Sequence, residues 1–290
     1  MIRIEGVKVT YKDKVALDIV RPIEIQDGDR VGIIGSNGAG KTTLIKSILG
    51  IVPYSGLIKS KIPPHEIAVH MQQNEYSTLL PIKVVMETIL GGPIEKNAKV
   101  MEMIEYFNFE DCLKKRWKQL SGGQKQRLTL ILVMSQESPI TMMDEVTSGL
   151  DFETRQKLME HLNQWYENRK ATLLITSHYY EELNLLADKI LFLDQGKVID
   201  YGTKADLFAK YCGYSVLVAD ENEATMGLKK KYTHLIGAPK TVVFRCDNRE
   251  IEEEISQQLI YLNVNYRRSN NDTEIMTINA KANYYGEGNS

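Results

Sequence analysis

Long apolar runs are absent from this sequence. A helix that crosses a bilayer needs about 18–20 consecutive apolar residues, whereas the apolar stretches here are broken by Lys, Asp or Glu within about ten. Residues 1–5 alternate charged and apolar side chains as a strand does, and they lack the apolar core and cleavage site of a signal peptide. We therefore expect a cytoplasmic protein that reaches a membrane only from outside the lipid.

A strong charge of either sign is also absent. The 36 Lys and Arg residues against 38 Asp and Glu residues give a net charge of -2, so no electrostatic attraction to nucleic acid is expected. Cysteine is scarce, and Cys112, Cys212 and Cys246 are too far apart for a metal-ligand spacing. We expect free thiols in a reducing compartment, with no functional role.

What the sequence does contain is the alternation of strands and helices that is typical of a parallel α/β fold. Short strands are expected at 2–4, 7–11 and 15–20, and the β-branched run 30–34 predicts a buried parallel strand. Apolar residues recur at helical spacing over about 78–136, which predicts a helical insertion. Later strands at 140–143, 171–176 and 189–193 alternate with helices at 152–167 and 179–187.

The pattern changes near Gly213, where we divide the chain into residues 1–212 and a small α+β domain of residues 213–290. In the second part, helices are expected at 223–231 and 249–262, and strands at 215–219, 241–246, 264–268 and 274–279. The sequence of this part does not by itself indicate a function.

A glycine-rich loop directly follows the strand at 30–34 and precedes a helix. Its pattern of Gly, four residues, Gly, Lys and Thr is that of a phosphate-binding loop. The glycines let backbone N–H groups converge on a β-phosphate, the Lys41 ammonium reaches the β and γ oxygens, and the Thr42 hydroxyl suits Mg²⁺. The residues assigned to nucleotide binding here are Gly35, Ser36, Asn37, Gly38, Ala39, Gly40, Lys41, Thr42 and Thr43. Alone, this loop indicates a nucleotide but no reaction.

A second motif, Leu120-Ser121-Gly122-Gly123-Gln124, stands at a predicted helix N-terminus. The Ser121 side chain and the amides that follow it form a ready phosphate site. The alternative is a plain capped helix start. A glycine inside the first turn costs about 1 kcal/mol relative to Ala, however, and close approach of a phosphate would explain it.

In this order the two motifs resemble the ATPase subunits of ABC transporters, and the resemblance covers about residues 1–212. It implies a P-loop NTPase fold in which an antiparallel β subdomain and a helical subdomain accompany the mixed sheet. It also implies ATP and Mg²⁺ as ligands. The family works as a head-to-tail dimer of identical or closely related subunits, in which residues 121–124 of one subunit close over the ATP held by the other.

Residues 140–145 resemble the Walker B strand of the family. The resemblance implies that Asp144 binds Mg²⁺ and that Glu145 activates the attacking water, while Lys41 stabilises the phosphate charge. Val146 stands where the family usually has proline. Both carboxylates are retained, so ATP hydrolysis is expected.

Four more family motifs fall at matching positions. Residues 148–151 resemble the D-loop, and His178 at a strand end resembles the switch histidine that contacts the γ-phosphate. Gln72 resembles the Q-loop glutamine that joins Mg²⁺ and water to the helical subdomain, with Gln73 as the alternative. Tyr11 resembles the aromatic residue that stacks on adenine, and an ordinary exposed strand-end tyrosine is the alternative.

The resemblance further implies an integral membrane permease as partner, with this chain peripheral on the inner face of the cell membrane. A separate ATPase chain without an acidic stretch before Leu120 resembles the subunits of bacterial drug and peptide exporters. The alternative is a non-transport ABC ATPase that acts on ribosomes or DNA, and a small-molecule kinase is opposed by Glu145 beside Asp144. The C-terminal domain either pairs across the dimer or senses a ligand, or it only stiffens the dimer.

Overall fold

The computed structural model of the protein describes residues 1–71, 75–167 and 169–286. Strands predominate in the first of these ranges. Its elements are β1 (Ile2–Tyr11), β2 (Lys14–Ile19), β3 (Ile23–Ile25), β4 (Arg30–Ile34), α1 (Lys41–Ile48), β5 (Ser55–Ser60) and β6 (Ala68–His70). β1 is one strand rather than the two predicted, and it pairs antiparallel with β2, β3 and β5. Alternate side chains of β1 are buried, as the alternation of its sequence predicts.

Three helices fill the predicted insertion, and strands and helices then alternate. In chain order these elements are α2 (Ile82–Leu90), α3 (Ala98–Tyr106), α4 (Gly122–Ser135), β7 (Ile140–Asp144), α5 (Phe152–Glu167), β8 (Thr172–Thr176), α6 (Tyr180–Leu186), β9 (Lys189–Asp194), β10 (Lys197–Thr203) and α7 (Lys204–Cys212). The strands form a six-stranded sheet of order β10-β9-β4-β8-β7-β6. All neighbours are parallel except β10, which forms an antiparallel edge. This confirms the predicted mixed sheet.

The carboxyl ends of the parallel strands meet at one edge of this sheet. β4 ends there immediately before the glycine loop, β7 ends at Asp144 and β8 ends at Thr176. Ligands of α/β proteins bind at such an edge because the loops that leave the strands converge there. The topology therefore gathers the candidate functional residues.

The C-terminal part forms its own antiparallel sheet. Its elements are β11 (Ser215–Asp220), α8 (Glu223–Lys229), β12 (His234–Leu235), β13 (Thr241–Cys246), α9 (Arg249–Tyr261), β14 (Tyr266–Ser269) and α10 (Thr273–Tyr285). The order is β12-β13-β11-β14, which with the βαββαβ succession gives the ferredoxin-like arrangement followed by one more helix. The strand predicted at 274–279 is wrong, because these residues lie within α10.

Helices cover both faces of this small sheet. Phe244 of β13 packs with Ile255 and Leu259 of α9 on one face. The opposite face carries Val216 and Val243, which belong to the same apolar cluster as Ile275, Met276 and Ala280 of α10 and Phe192 and Tyr211 of the N-terminal part. α10 is therefore packed between the small sheet and the large one.

The structure also bears on the expectations about the cysteines and about membrane-spanning helices. Cys112, Cys212 and Cys246 are buried and form no disulfide. Over the described ranges, no helix combines the length and the apolar character that crossing a membrane requires.

Candidate functional site

The phosphate loop is pressed against the end of the large sheet. A side chain on Gly35 would collide with the backbone oxygen of Leu193 in β9 and would lie 2.8 Å from Cβ of Ala39. Gly40 caps α1 with a φ of 105°, in the region that favours glycine, and it lies against the Ala16 backbone of β2. Glycine at these two positions therefore allows the tight backbone path that the motif predicts.

Lys41 is folded back into the curl of this loop. Its ammonium donates hydrogen bonds to the carbonyl oxygens of Gly35 at 2.8 Å and Ser36 at 3.3 Å, and the residue is buried. Burial lowers the pKa of Lys41, while the nearby carboxylates of Glu145 and Asp144 oppose that shift. A buried ammonium that lies inside the loop and contacts two of its carbonyl oxygens is well placed to meet a phosphate.

Asp144 and Thr42 form an oxygen-rich pair beside the loop. The Thr42 hydroxyl donates to one Asp144 carboxylate oxygen at 2.6 Å, and the Thr176 hydroxyl donates to the other at 2.6 Å. Asp144 is fully buried. Hydroxyl and carboxylate oxygens are the protein ligands that Mg²⁺ prefers, so this donor set fits the ion. The sequence analysis gave Thr176 no role, although it directly precedes the segment that carries His178.

Glu145 and His178 face each other at the same edge. Nε2 of His178 lies 2.6 Å from Oε1 of Glu145. The Glu145 N–H donates to the side-chain and backbone oxygens of Thr176, and its φ of 52° is unusual for a non-glycine residue. A fixed, half-shielded carboxylate next to a histidine is a suitable acceptor for the proton of a water molecule.

A buried carboxylate, Glu182 of α6, ties together the segments around these two residues. It accepts hydrogen bonds from Thr147 at 3.0 Å and Ser177 at 2.5 Å, and Arg155 lies 3.7 Å away. Burial raises the pKa of Glu182, and the two hydroxyls and Arg155 act against that shift. The sequence analysis did not identify this brace, because a lone glutamate in a helix carries no signal of it.

The second glycine motif stands at the start of α4. The Ser121 side chain accepts from the Gln124 N–H at 3.2 Å, and the Gln124 side chain accepts from the Ser121 N–H at 3.1 Å, which is a reciprocal capping box. A side chain on Gly122 would meet no atom of the described residues within 4 Å, and one on Gly123 would meet only Leu150 at 3.7 Å. No fold-internal contact among these residues requires the glycines.

The remaining assignments of the sequence analysis have different outcomes. Tyr11 is 45% exposed at the end of β1. The neighbouring strand β2 contacts the phosphate loop at Gly40. Stacking of Tyr11 on adenine stays a prediction. Gln72 and the alternative Gln73 lie outside the described residues.

The strand that leads toward Gln72 ends in an unusual residue, His70. It is 2% exposed, and neither ring nitrogen has a hydrogen-bond partner among the described residues. Burial lowers the pKa of His70 to about 4, with the backbone of the same residue and the Asp144 carboxylate opposing the shift. The imidazole is therefore neutral in the folded protein at ordinary pH.

Comparison with known proteins identifies the family. The family model described as ABC transporter matches residues 22–148. The linearmycin resistance ATP-binding protein LnrL of Bacillus subtilis is 31% identical over 257 residues, which cover 81% of this chain and 80% of that protein. This chain belongs to the ABC transporter ATP-binding proteins.

Other members of the family are similar over a smaller part. The methionine import ATP-binding protein MetN of Corynebacterium glutamicum is 28% identical over 223 residues, covering 71% of this chain and 60% of that protein. Among solved structures, the ATP-binding cassette MJ0796, a dimer bound to ADP and Pi, matches with a TM-score of 0.63 and 23% identity over 70% of this chain and 98% of that one. This structural likeness confirms the predicted fold.

As an ABC ATPase, the protein binds ATP with Mg²⁺ and hydrolyses it, as predicted. Its departure from the family at Val146 leaves the site intact. Val146 is buried in the large apolar cluster, and Glu145 keeps its backbone contacts to Thr176. The proline is therefore not needed to hold the carboxylate here.

Proposed function

We propose that this chain is the ATPase subunit of an exporter and that it acts as a head-to-tail dimer on a separate membrane permease. The observation that supports a dimer is that the motif at residues 121–124 lies apart from the other site residues within one chain. Lys41, Asp144, Glu145 and His178 gather at the end of the large sheet, whereas no hydrogen bond within the described residues joins Ser121 to the phosphate loop. Gly122 faces open space among the described residues, and a side chain on Gly123 would meet only Leu150, which leaves room for the phosphate of a second subunit.

In this mechanism Glu145 polarises the attacking water. His178, which contacts Glu145, also reaches the γ-phosphate. Lys41 stabilises the charge that develops on the transferred phosphate, and Ser121 with the glycine amides of the second subunit does so from the other side. When bound by Thr42 and Asp144, Mg²⁺ would supply charge neutralisation of the phosphates. Gln72 is assigned to the same site by resemblance alone.

The second subunit is either a copy of this chain or a close relative. Two copies would form two equivalent sites, each with one phosphate loop and one signature. Closure on ATP and opening after hydrolysis would then drive the permease between two states. The inner face of the cell membrane is the place where such a dimer meets its permease.

A group of exposed apolar side chains supports a docking surface for the permease. These residues begin just after the segment that carries Gln72 and continue along α2, and apolar side chains of this size seldom cluster on a surface without a partner. They are Leu79, which is 78% exposed, Leu80, Val84 and Ile89. We name this group the α2 patch.

The names of relatives favour export as the direction, since LnrL is 31% identical to this chain. LnrL is named for resistance to linearmycin, whereas MetN, which is 28% identical, is named for import. A drug or a peptide would be the transported class, and the path for it would lie in the permease. The ribosome- or DNA-acting alternative would need a partner of another kind.

Copurification tests this proposal. The tagged protein is extracted from its own cells with a mild detergent, and a multi-span membrane protein in stoichiometric amount is expected. Leu79→Asp on the α2 patch should reduce the yield of that protein, whereas Val20→Asp, at a residue 81% exposed between β2 and β3, should not. Recovery of ribosomal proteins or DNA instead would contradict the transporter function.

ATP-driven uptake into inverted membrane vesicles tests the direction. Vesicles that hold the permease and this subunit should accumulate the cargo when ATP is added outside, because the outside corresponds to the cytoplasm. ATP-driven release from preloaded vesicles would indicate import and would refute export while leaving the ATPase assignment intact.

A further inference from the structure

Asp194, the last residue of β9, connects the phosphate loop to the C-terminal helix. The residue is 3% exposed. The hydroxyl of Ser36, the second residue of the phosphate loop, donates to one carboxylate oxygen at 3.3 Å. From α10, the Lys281 ammonium lies 2.8 Å from the same oxygen, and the Tyr285 hydroxyl donates to the other at 3.0 Å. One buried carboxylate thus joins two distant parts of the chain.

Polar contacts, rather than packing, make this connection. A cavity of about 290 Å³ separates α10 from the loop, and its walls include Gly35, Ser36, His178, Ile278 and Lys281. Lys281 and Asp194 both line this cavity, and their ion pair bridges it at one side. Withdrawal of the end of α10 would therefore leave the Asp194 carboxylate without its cation, one hydrogen bond away from the loop that binds phosphates.

The other side of α10 is fixed to the small sheet. The Asn279 amide exchanges two hydrogen bonds with the backbone of Ile236, at 2.9 and 3.1 Å. The start of the helix is instead anchored to the ATPase part, through the hydrogen bond between Thr273 and Asn184 of α6. A displacement of the small sheet would therefore reach Asp194 through the part of α10 that carries Asn279, Lys281 and Tyr285.

We propose that Asp194 is a positioning residue for the phosphate loop and that α10 of the C-terminal part neutralises it, through Lys281 and Tyr285, so that the loop accepts ATP. The reason is electrostatic. A buried carboxylate without a cation repels the phosphates of ATP, and little solvent is present to screen that repulsion. The C-terminal part therefore controls ATP affinity.

A double-mutant cycle at Lys281 and Asp194 tests this inference, with MgATP binding to the full chain measured by isothermal titration calorimetry. Lys281→Met should weaken ATP binding by about tenfold, since it leaves the carboxylate unpaired. Asp194→Asn removes that charge, so the double variant should recover to within about twofold of the original affinity. If the double variant binds as weakly as Lys281→Met or more weakly, the neutralising role is refuted.

Lys210→Met is the matched control. Lys210 of α7 pairs with the buried Asp200 at 2.6 Å, and the Tyr211 hydroxyl also donates to Asp200. Arg21 lies 2.6 Å from the other Asp200 oxygen, so Lys210→Met removes one of two cations from a buried carboxylate that lies away from the loop. Both Lys→Met variants should lower the melting temperature, but only Lys281→Met should weaken ATP binding. Equal loss of ATP affinity in both variants would mean that general destabilisation is the cause.

A second readout separates positioning from structural support, and it also serves if Lys281→Met folds poorly. Tyr285→Phe removes one donor to Asp194 with little change in volume. We expect it to raise KM for ATP while kcat stays within about twofold. In calorimetric binding it should raise the Kd of ATP more than the Kd of the less charged AMP, which is not hydrolysed. An equal effect on ATP and AMP would overturn the electrostatic explanation.

Discussion

Glu145 holds its position through a backbone conformation that few non-glycine residues adopt. Its φ of 52° is kept by the hydrogen bonds of its N–H to Thr176, whose hydroxyl also binds Asp144. Thr176 therefore orients both carboxylates that the chemistry needs. At this scale, activity depends on the backbone around Glu145 as much as on its side chain.

Glu145→Gln should reduce kcat for ATP hydrolysis by at least about 100-fold and leave ATP binding unchanged, because the amide keeps the shape of the side chain but cannot accept a proton. Steady-state ATPase assays and calorimetric binding measure the two effects. Glu181→Gln, at an exposed position of α6, is the control and should leave kcat unchanged. Near-normal hydrolysis in Glu145→Gln would show that another group is the base.

His70 makes stability depend on pH. Its pKa falls from 6.5 to about 4 on folding, so between these values the unfolded chain binds more protons than the folded one. The free energy of unfolding contributed by this residue therefore rises with pH through that window and is lost as pH falls toward 4. The loss is about 3 kcal/mol.

Urea unfolding of the protein and of His70→Leu, at pH values from 4.5 to 7, measures this contribution as the difference between the two curves. The difference cancels groups such as Glu182, whose raised pKa acts in the opposite direction. Parallel curves would show that folding does not shift the pKa of His70.

At the scale of the element, α4 combines a structural cap with a functional surface. Ser121→Ala should cost about 1 kcal/mol of stability because the N-cap is lost, and it should also lower ATPase activity severalfold because the hydroxyl no longer meets the phosphate of the second subunit. Asn97→Ala removes the N-cap of α3 and is the control. It should lower stability by a similar amount, measured by urea unfolding, and leave activity unchanged. Equal activities in the two variants would contradict the role of Ser121 in trans.

Elements with a local sequence signal could be predicted well. The strand Arg30–Ile34 and the helix Phe152–Glu167 have the predicted bounds. The strand is a continuous apolar run that is buried almost throughout, and the helix buries one face at helical spacing. The motif of residues 35–43 could be recognised because all its functional atoms come from one short segment. The Thr42–Asp144 pair followed only from the family resemblance.

The error at α10 has a physical cause. Residues 274–279 are rich in β-branched side chains, which favours a strand. In the structure the helix is covered by the small sheet on one side and by the ATPase part on the other, so Ile275, Met276 and Asn279 are all buried and no amphipathic period remains. Asp272, which caps the helix by accepting from the Ile275 N–H, is the signal that could have identified it. The role of Asp194 could not be predicted, since its partners come from distant segments.

At the scale of the whole molecule, we place the boundary between the two parts at Gly213, where the chain turns from α7 into β11 with a φ of 86°. The apolar cores do not divide there. Ile275 and Met276 share one cluster with Phe192. A deletion of residues 214–290 would therefore expose the ATPase core, so the oligomeric state is better tested on the intact chain.

This shared core predicts a single unfolding transition for both parts. Differential scanning calorimetry should show one endotherm, and Met276→Ala, at a residue 1% exposed, should move the whole of it to lower temperature. The substitution creates a cavity and should cost about 2–5 kcal/mol. Two endotherms, of which only one responds to the variant, would show that the parts unfold independently.

The bridge at Asp194 also fixes an order of events during folding. It joins segments 158 residues apart on one side and 91 residues apart on the other, and pairings of such sequence separation form late because closing the intervening chain costs entropy. Helices such as α4 and α5 can form early from neighbouring residues. We therefore expect refolding chains to regain helical circular dichroism first and high affinity for ATP only afterwards, when the end of α10 reaches the loop.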